Sequence, residues 1–114
     1  MSDCLFCRIV RKEIPASIVY EDESLLVLND INPQAPMHVL VIPKRHIGSL
    51  NELAAGDDAL VGEMVRRAAV IARDRGYADR GFRTVFNTNA EAGQTVFHIH
   101  LHVLGGRGLS WPPG

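Results

Sequence analysis

Histidine occurs at every second position in the segment Phe97-His98-Ile99-His100-Leu101-His102-Val103-Leu104. An extended chain sends successive side chains to opposite faces, so His98, His100 and His102 share one face and Ile99, Leu101 and Val103 the other. On a helix the middle ring would point away from its two neighbours. Same-face residues on a strand sit about 6.6–7 Å apart, which puts the outer rings about 13 Å from each other. Zn–N bonds are only about 2.0–2.1 Å, so one ion can take an adjacent pair of these rings but hardly all three. A single three-histidine metal centre is therefore disfavoured. One histidine on a strand is usually structural, but three on one face between apolar partners are costly to bury without a task.

The flanks suggest the task. Ala92-Gly93-Gln94-Thr95 precedes the segment and Gly105-Gly106 follows it. Glycine lets a backbone approach a ligand closely, and amides in such a turn hold anions. Imidazoles beside a turn of donors make a phosphate site that needs no Mg²⁺. The chain has no Asp-x-Asp pair and no G-x-x-x-x-G-K-[ST] loop, which excludes a P-loop NTPase. A second motif, Cys4-Leu5-Phe6-Cys7, has the C-x-x-C spacing of two thiolates on one tetrahedral zinc. Without Trp, Gly or Pro around the thiols it does not look like a thioredoxin motif. Two ligands are too few for the ion; two buried free thiols and a redox pair are the alternatives.

The elements that must position these groups are legible in outline. Ile9 to Ile14 before Pro15 suits a short helix closed by the proline. Ile18-Val19-Tyr20 and Leu25 to Leu28, split by Glu21-Asp22-Glu23-Ser24, predict a β-hairpin. Asn29 to Pro36 is a loop on composition, and Met37 to Ile42 a buried strand ended by Pro43. Ser49-Leu-Asn-Glu52 has the form of a capping box, so a helical turn starts there. Leu60, Met64, Ala68, Ile71 and Ala72 predict an amphipathic helix from about Asp57 to Arg75, stopped by Gly76. Strands over Phe82 to Asn87 and Thr95 to Leu104 complete an antiparallel α+β domain.

The chain of 114 residues is one domain, 1–114, with 46% apolar and 22% charged residues, which excludes intrinsic disorder. A net charge of −1 without a basic block makes nucleic acid an unlikely partner. No apolar run approaches the ~18 residues of a membrane span, so no membrane partner is expected. Met1-Ser2-Asp3 begins no secretory signal, and two cysteines without one point to a reducing, cytoplasmic setting.

The histidine segment has the His-φ-His-φ-His-φ-φ form, and with it the chain resembles the histidine-triad (HIT) family. The match extends through Arg11-Lys-Glu-Ile-Pro15, Asp30-Ile-Asn-Pro-Gln-Ala-Pro36, Val41-Ile-Pro-Lys-Arg-His46, Gly93-Gln94 and His102-Val-Leu-Gly-Gly-Arg107. The ending Trp111-Pro-Pro-Gly114 is similar to the nucleotide-binding (HINT) branch. The resemblance implies an antiparallel sheet of about five strands with one long and one or two short helices, continued across a homodimer. It also implies hydrolysis of purine nucleoside 5′-phosphoramidates, AMP joined to an amine, through a nucleotidyl-histidine intermediate. His100 matches the nucleophile and His102 the residue at the scissile phosphate and leaving group. Thr95 stands where the branch has serine. Asn87, His38 and the Gly93-Gln94 backbone match phosphate-side and supporting positions. Leu5, Phe6, Ile9, Leu28 and Ile31 would line the purine, Asp30 would bind the ribose hydroxyls, and Trp111 would lie near the partner's site. Bacterial-type members imply a structural zinc on Cys4, Cys7, His46 and His98, with no catalytic metal or organic cofactor. Two rival readings remain, a dinucleoside polyphosphate hydrolase or nucleotidyl transferase of another branch and a non-catalytic nucleotide-binding adaptor.

Overall fold

The computed structural model describes residues 4–114; Met1-Ser2-Asp3, read above for a secretory signal, lie outside them. The alternating and continuous apolar runs form a five-stranded antiparallel sheet in the order β1-β2-β3-β5-β4. Its strands are β1 (Ile18–Glu21), β2 (Leu25–Asn29), β3 (Met37–Pro43), β4 (Phe82–Val85) and β5 (Leu101–Gly105). Asp22 makes the β1–β2 turn, its Oδ1 accepting from the amides of Ser24 at 2.8 Å and Leu25 at 2.9 Å. No helix among the described residues is long and apolar enough to cross a membrane.

Two helices cover the two faces. The short α1 is Leu5–Val10 and the long α2 is Asp58–Asp74. Met64, Ala68, Ile71 and Ala72 of α2 pack on Val27, Val39, Val41, Ile99, Leu101 and Val103. Phe6 and Ile9 of α1 pack on Leu26, Leu28, Leu40 and Ile42 on the opposite face. β3 is therefore buried on both sides along its whole length. The expected stop of α2 is present: Tyr77 N donates to Ala72 O at 2.8 Å and Gly76 N to Arg73 O at 3.0 Å, with Gly76 at φ +87°.

Several elements differ from the sequence expectation. The first helix is not Ile9 to Ile14 but lies earlier, with Cys4 as its N-cap, the thiol accepting from Cys7 N at 3.4 Å. It ends before the proline because Lys12 takes the left-handed conformation, φ 65°, and closes the turn by Lys12 N to Ile9 O and Glu13 N to Arg8 O, both 2.9 Å. The C-x-x-C motif is thus the first turn of a helix. The strand expected over Thr95 to Leu104 pairs only from Leu101, and its neighbour stops at Val85 rather than Asn87. Residues 96–98 form a bend, and Ile99 N leaves the ladder to donate to Ile47 O at 2.7 Å. The alternation survives: Ile99, Leu101 and Val103 still face α2. At Ser49 the hydroxyl accepts from Asn51 N, while Glu52 Oε1 accepts from Gly48 N rather than from Ser49, both at 3.2 Å. Gly105 and Gly106 sit where close packing leaves little room for a side chain. A Cβ on Gly106, at φ +101°, would lie 2.8 Å from Pro36 Cβ, and one on Gly105 3.0 Å from Met37 Cε.

Candidate functional site

The face opposite α2 carries the chemistry. His38 on β3, His102 on β5 and His100 just before β5 meet there because β3 and β5 pair with Leu40 opposite His102. The hydrogen bonds fix which ring nitrogens carry protons. A backbone carbonyl only accepts, so the 2.8 Å contact of His100 Nδ1 with His98 O puts the His100 proton on Nδ1 and leaves Nε2 with its lone pair. A backbone amide only donates. Gln34 N, 3.0 Å from His38 Nδ1, therefore makes that nitrogen an acceptor and puts the His38 proton on Nε2. His38 Nε2–H then donates to His102 Nδ1 at 2.9 Å, so neutral His102 carries its proton on Nε2. The two adjacent rings, 5.0 Å apart between centroids, hold opposite tautomers: a bare Nε2 on His100 and an Nε2–H on His102.

Burial is the main cause that keeps these rings neutral. It lowers the pKa of His100 and His38, and it brings His102 down to about 4, with His100 and His38 adding to the effect. The Asp30 carboxylate, 3.4 Å from His38 Nε2, opposes the shift on all three rings.

His100 and His102 lie in a cleft of about 400 Å³ with mostly apolar walls. Leu5, Phe6, Ile9, Leu28 and Ile31 all line it, as do Asp30 and Thr95. Ile31 is fully exposed at the mouth. Asp30 also closes an Asx turn, its Oδ1 accepting from Asn32 N at 2.8 Å. Other sequence candidates lie outside the cleft lining. His38 stands behind His102. Asn87 follows β4, and Trp111 is 81% exposed on a tail held by Arg83, whose Nη2 donates to Ser110 O at 3.0 Å. The Gly93 and Gln94 amides are taken up within their own loop, donating to Ala90 O and Asn89 O. Buried Gln94 braces the triad from behind, its Nε2 donating to Gly48 O at 2.8 Å and Val96 O at 3.1 Å. Sequence reasoning missed Leu40, Val96 and the Ser17–Asn29 pair, in which Asn29 Nδ2 donates to Ser17 Oγ at 2.8 Å. Leu40 was findable, since it shares a β3 face with His38.

Behind the triad, Cys4, Cys7, His46 and His98 bring their ligand atoms within 4.8 Å of one another. Around one tetrahedral zinc, S···N separations come to about 3.6 Å from bonds of about 2.3 and 2.0–2.1 Å. The observed values are 3.4 Å for Cys4 Sγ to His98 Nδ1, 3.6 Å for Cys7 Sγ to His98 Nδ1 and 3.3 Å for Cys7 Sγ to His46 Nδ1. His98 Nε2–H donates to Pro43 O at 2.7 Å, which frees Nδ1 to act as a ligand. Burial raises the Cys7 pKa, so its thiolate calls for a cation. The residues fit a four-coordinate metal ion.

Comparison with known proteins agrees with this fold. Residues 3–109 match the family model "Scavenger mRNA decapping enzyme C-term binding". The purine nucleoside phosphoramidase of Escherichia coli strain K12 is 45% identical over 107 residues, 94% of this chain and 90% of that one. A HIT family hydrolase from Legionella pneumophila superposes with a TM-score of 0.97 at 49% identity, covering 98% of this chain and 100% of that one. A Zn-bound histidine triad family protein from Mycobacterium smegmatis gives a TM-score of 0.80 at 39% identity, over 93% of this chain and 76% of that one. Motif, fold and overall likeness coincide along nearly the whole length, and the chain belongs to the histidine-triad (HIT) family.

Proposed function

We propose that the protein is a hydrolase that cleaves the P–N bond of purine nucleoside 5′-phosphoramidates. The observation that carries this reading is the pair of opposed tautomers at one end of an apolar, nucleoside-sized cleft. His100 Nε2 attacks the α-phosphorus while the P–N bond breaks, giving a nucleotidyl-His100 and a departing amine. His98 O stabilises the charged ring through Nδ1–H. The departing nitrogen needs a proton, and His102 supplies it from Nε2. The anionic phosphoryl group raises the proton affinity of His102 when substrate docks, so Nδ1 takes a proton from solvent and the ring donates as an imidazolium that is left neutral. Asp30 meanwhile offers His38 Nε2–H its alternative acceptor. Neutral His102 next takes a proton from the water that cleaves the intermediate, releasing the nucleotide. Leu5, Phe6, Ile9, Leu28 and Ile31 hold the purine, Asp30 accepts from the ribose, and Asn87 supports the phosphate side. Gly93 and Gln94 contribute there by shaping their loop, because their amides are already bonded within it.

Steady-state rates with adenosine 5′-phosphoramidate against diadenosine polyphosphate test this function. Turnover of the amidate with AMP as product supports it. A preference for the polyphosphate, or AMP binding without turnover of either, replaces it with one of the rival readings. In this reading Thr95, which lines the cleft, steers the leaving group through its hydroxyl. Thr95→Ala is expected to slow substrates with poor leaving groups most, and uniform rates across leaving groups would remove Thr95 from the proton path.

The Cys4/Cys7/His46/His98 set holds a structural zinc in this reading, since four protein ligands leave no position for water. Elemental analysis of protein purified without added metal should find about one zinc per chain. A value below about 0.2 with reduced thiols defeats the assignment. A homodimer extends the sheet and brings Trp111 to the partner's cleft. Sedimentation at micromolar concentration is expected to give twice the chain mass, and a monomer refutes the pairing.

A further inference from the structure

We propose that the Cys4/Cys7/His46/His98 cluster governs the nucleophile from behind, with His98 as the positioning residue that joins metal centre to active site; this rests on the role given to His100 above. His98 is fully buried, and three different parts of it are engaged. Its Nε2–H donates to Pro43 O at 2.7 Å, and its Nδ1 lies 3.4 and 3.6 Å from the two thiols. Its own carbonyl accepts from His100 Nδ1 at 2.8 Å. That last bond sets the His100 tautomer, and the sheet does little to hold it in place. Residue 98 sits in the bend of 96–98, outside the ladder that begins at Leu101. The bend is tied by Ile99 N to Ile47 O, Gln94 Nε2 to Val96 O and His98 Nε2–H to Pro43 O. Ring ligation adds the tie that fixes the His98 ring itself, so the ligand and the tautomer anchor are two ends of one residue.

A second path runs through α1. This helix has six residues and no place in the sheet, and besides the packing of Phe6 and Ile9 on the sheet it is tied to the cluster through Cys4 and Cys7. Phe6, between those cysteines, meets both His98 and His100 edge to face, with centroids at 5.9 and 5.0 Å. Phe6 also lines the cleft with Leu5 and Ile9. Emptying the cluster therefore loosens the purine wall and the carbonyl that orients the nucleophile together, while leaving the α2 core intact.

The test uses ¹⁵N-labelled full-length protein at a pH where the His100 ring is neutral. Long-range ¹H–¹⁵N spectra report its tautomer, and calorimetry reports AMP affinity, in zinc-loaded protein and after chelation. The loaded form is expected to show His100 protonated only on Nδ1. The stripped form is expected to show mixed tautomers and AMP binding weakened about tenfold or more. Zinc re-addition reverses both. His46→Ala should behave as stripped protein and His46→Cys, which restores a fourth ligand, as loaded protein. An unchanged tautomer and affinity in metal-free, folded protein overturn the proposal. So does loss of the α2 and β1–β2 amide signals along with the tautomer, because the effect would then belong to the whole fold. Failure to load zinc overturns it as well. Neither readout needs turnover: a protein that never cleaves a phosphoramidate refutes the proposed function, and the tautomer still decides this coupling.

Discussion

His100→Ala is expected to lower turnover by about 10³–10⁶-fold, the scale of losing a covalent nucleophile. AMP affinity should stay within about tenfold, because the purine and ribose contacts proposed above lie on α1, β2 and the following loop rather than on His100. The two outcomes separate because in the proposed reaction the ring acts in the transition state, where its bare Nε2 would meet phosphorus. Rapid quenching of the wild type should trap a nucleotide on the protein that is acid-labile and absent from the variant. Wild-type turnover by His100→Ala, or no trapped nucleotide under single-turnover conditions, removes His100 from the reaction.

The second large effect concerns the donor. His102→Ala is expected to cost about 10²–10⁴-fold in turnover, the usual worth of a positioned acid, with the loss shrinking as the departing amine becomes less basic. A uniform loss across amines would leave His102 with a binding role only. The ring also sets a pH dependence whose sign follows from its environment. Burial, then His100 and His38, hold its pKa at about 4, whereas a free imidazole titrates near ~6.5. Between those two values the unfolded chain binds the proton and the folded chain does not. Stability from this group is therefore complete above ~6.5 and is lost as the pH falls toward ~4. An NMR titration of the free protein should place the His102 midpoint near ~4, and AMP, which brings a negative charge to the ring, should raise it. An unmoved or lowered midpoint with AMP bound sinks the donor assignment.

Much of this could be read from the residues because local periodicity fixes it. The apolar spacing of Leu60 to Ala72 specified α2 to within a residue at each end, and the alternation of 98–104 specified which side chains face the core. Periodicity did not reveal what long-range partners decide. The early end of α1 depends on Lys12 adopting a left-handed backbone that a glycine would have announced. The broken strand before Leu101 depends on the Ile47 carbonyl, which reaches Ile99 from the loop after β3. The His38–His102 contact needs the β3–β5 register, and the proton positions need Gln34 N and His98 O as fixed partners. The motif names the rings, but their division of labour comes from backbone groups that no motif contains.

One short stretch of chain supplies His98 of the cysteine–histidine cluster and the two cleft rings His100 and His102 at alternate positions, while Ile99, Leu101 and Val103 fill the core between them. Inserting or deleting a single residue there would exchange the two faces, pushing imidazoles beneath α2 and greasy side chains into the cleft. The exposed turn at 78–80 carries no such parity and tolerates gain or loss of a residue far better. A descendant of this chain can drift in length there before it can change by one between His98 and His102.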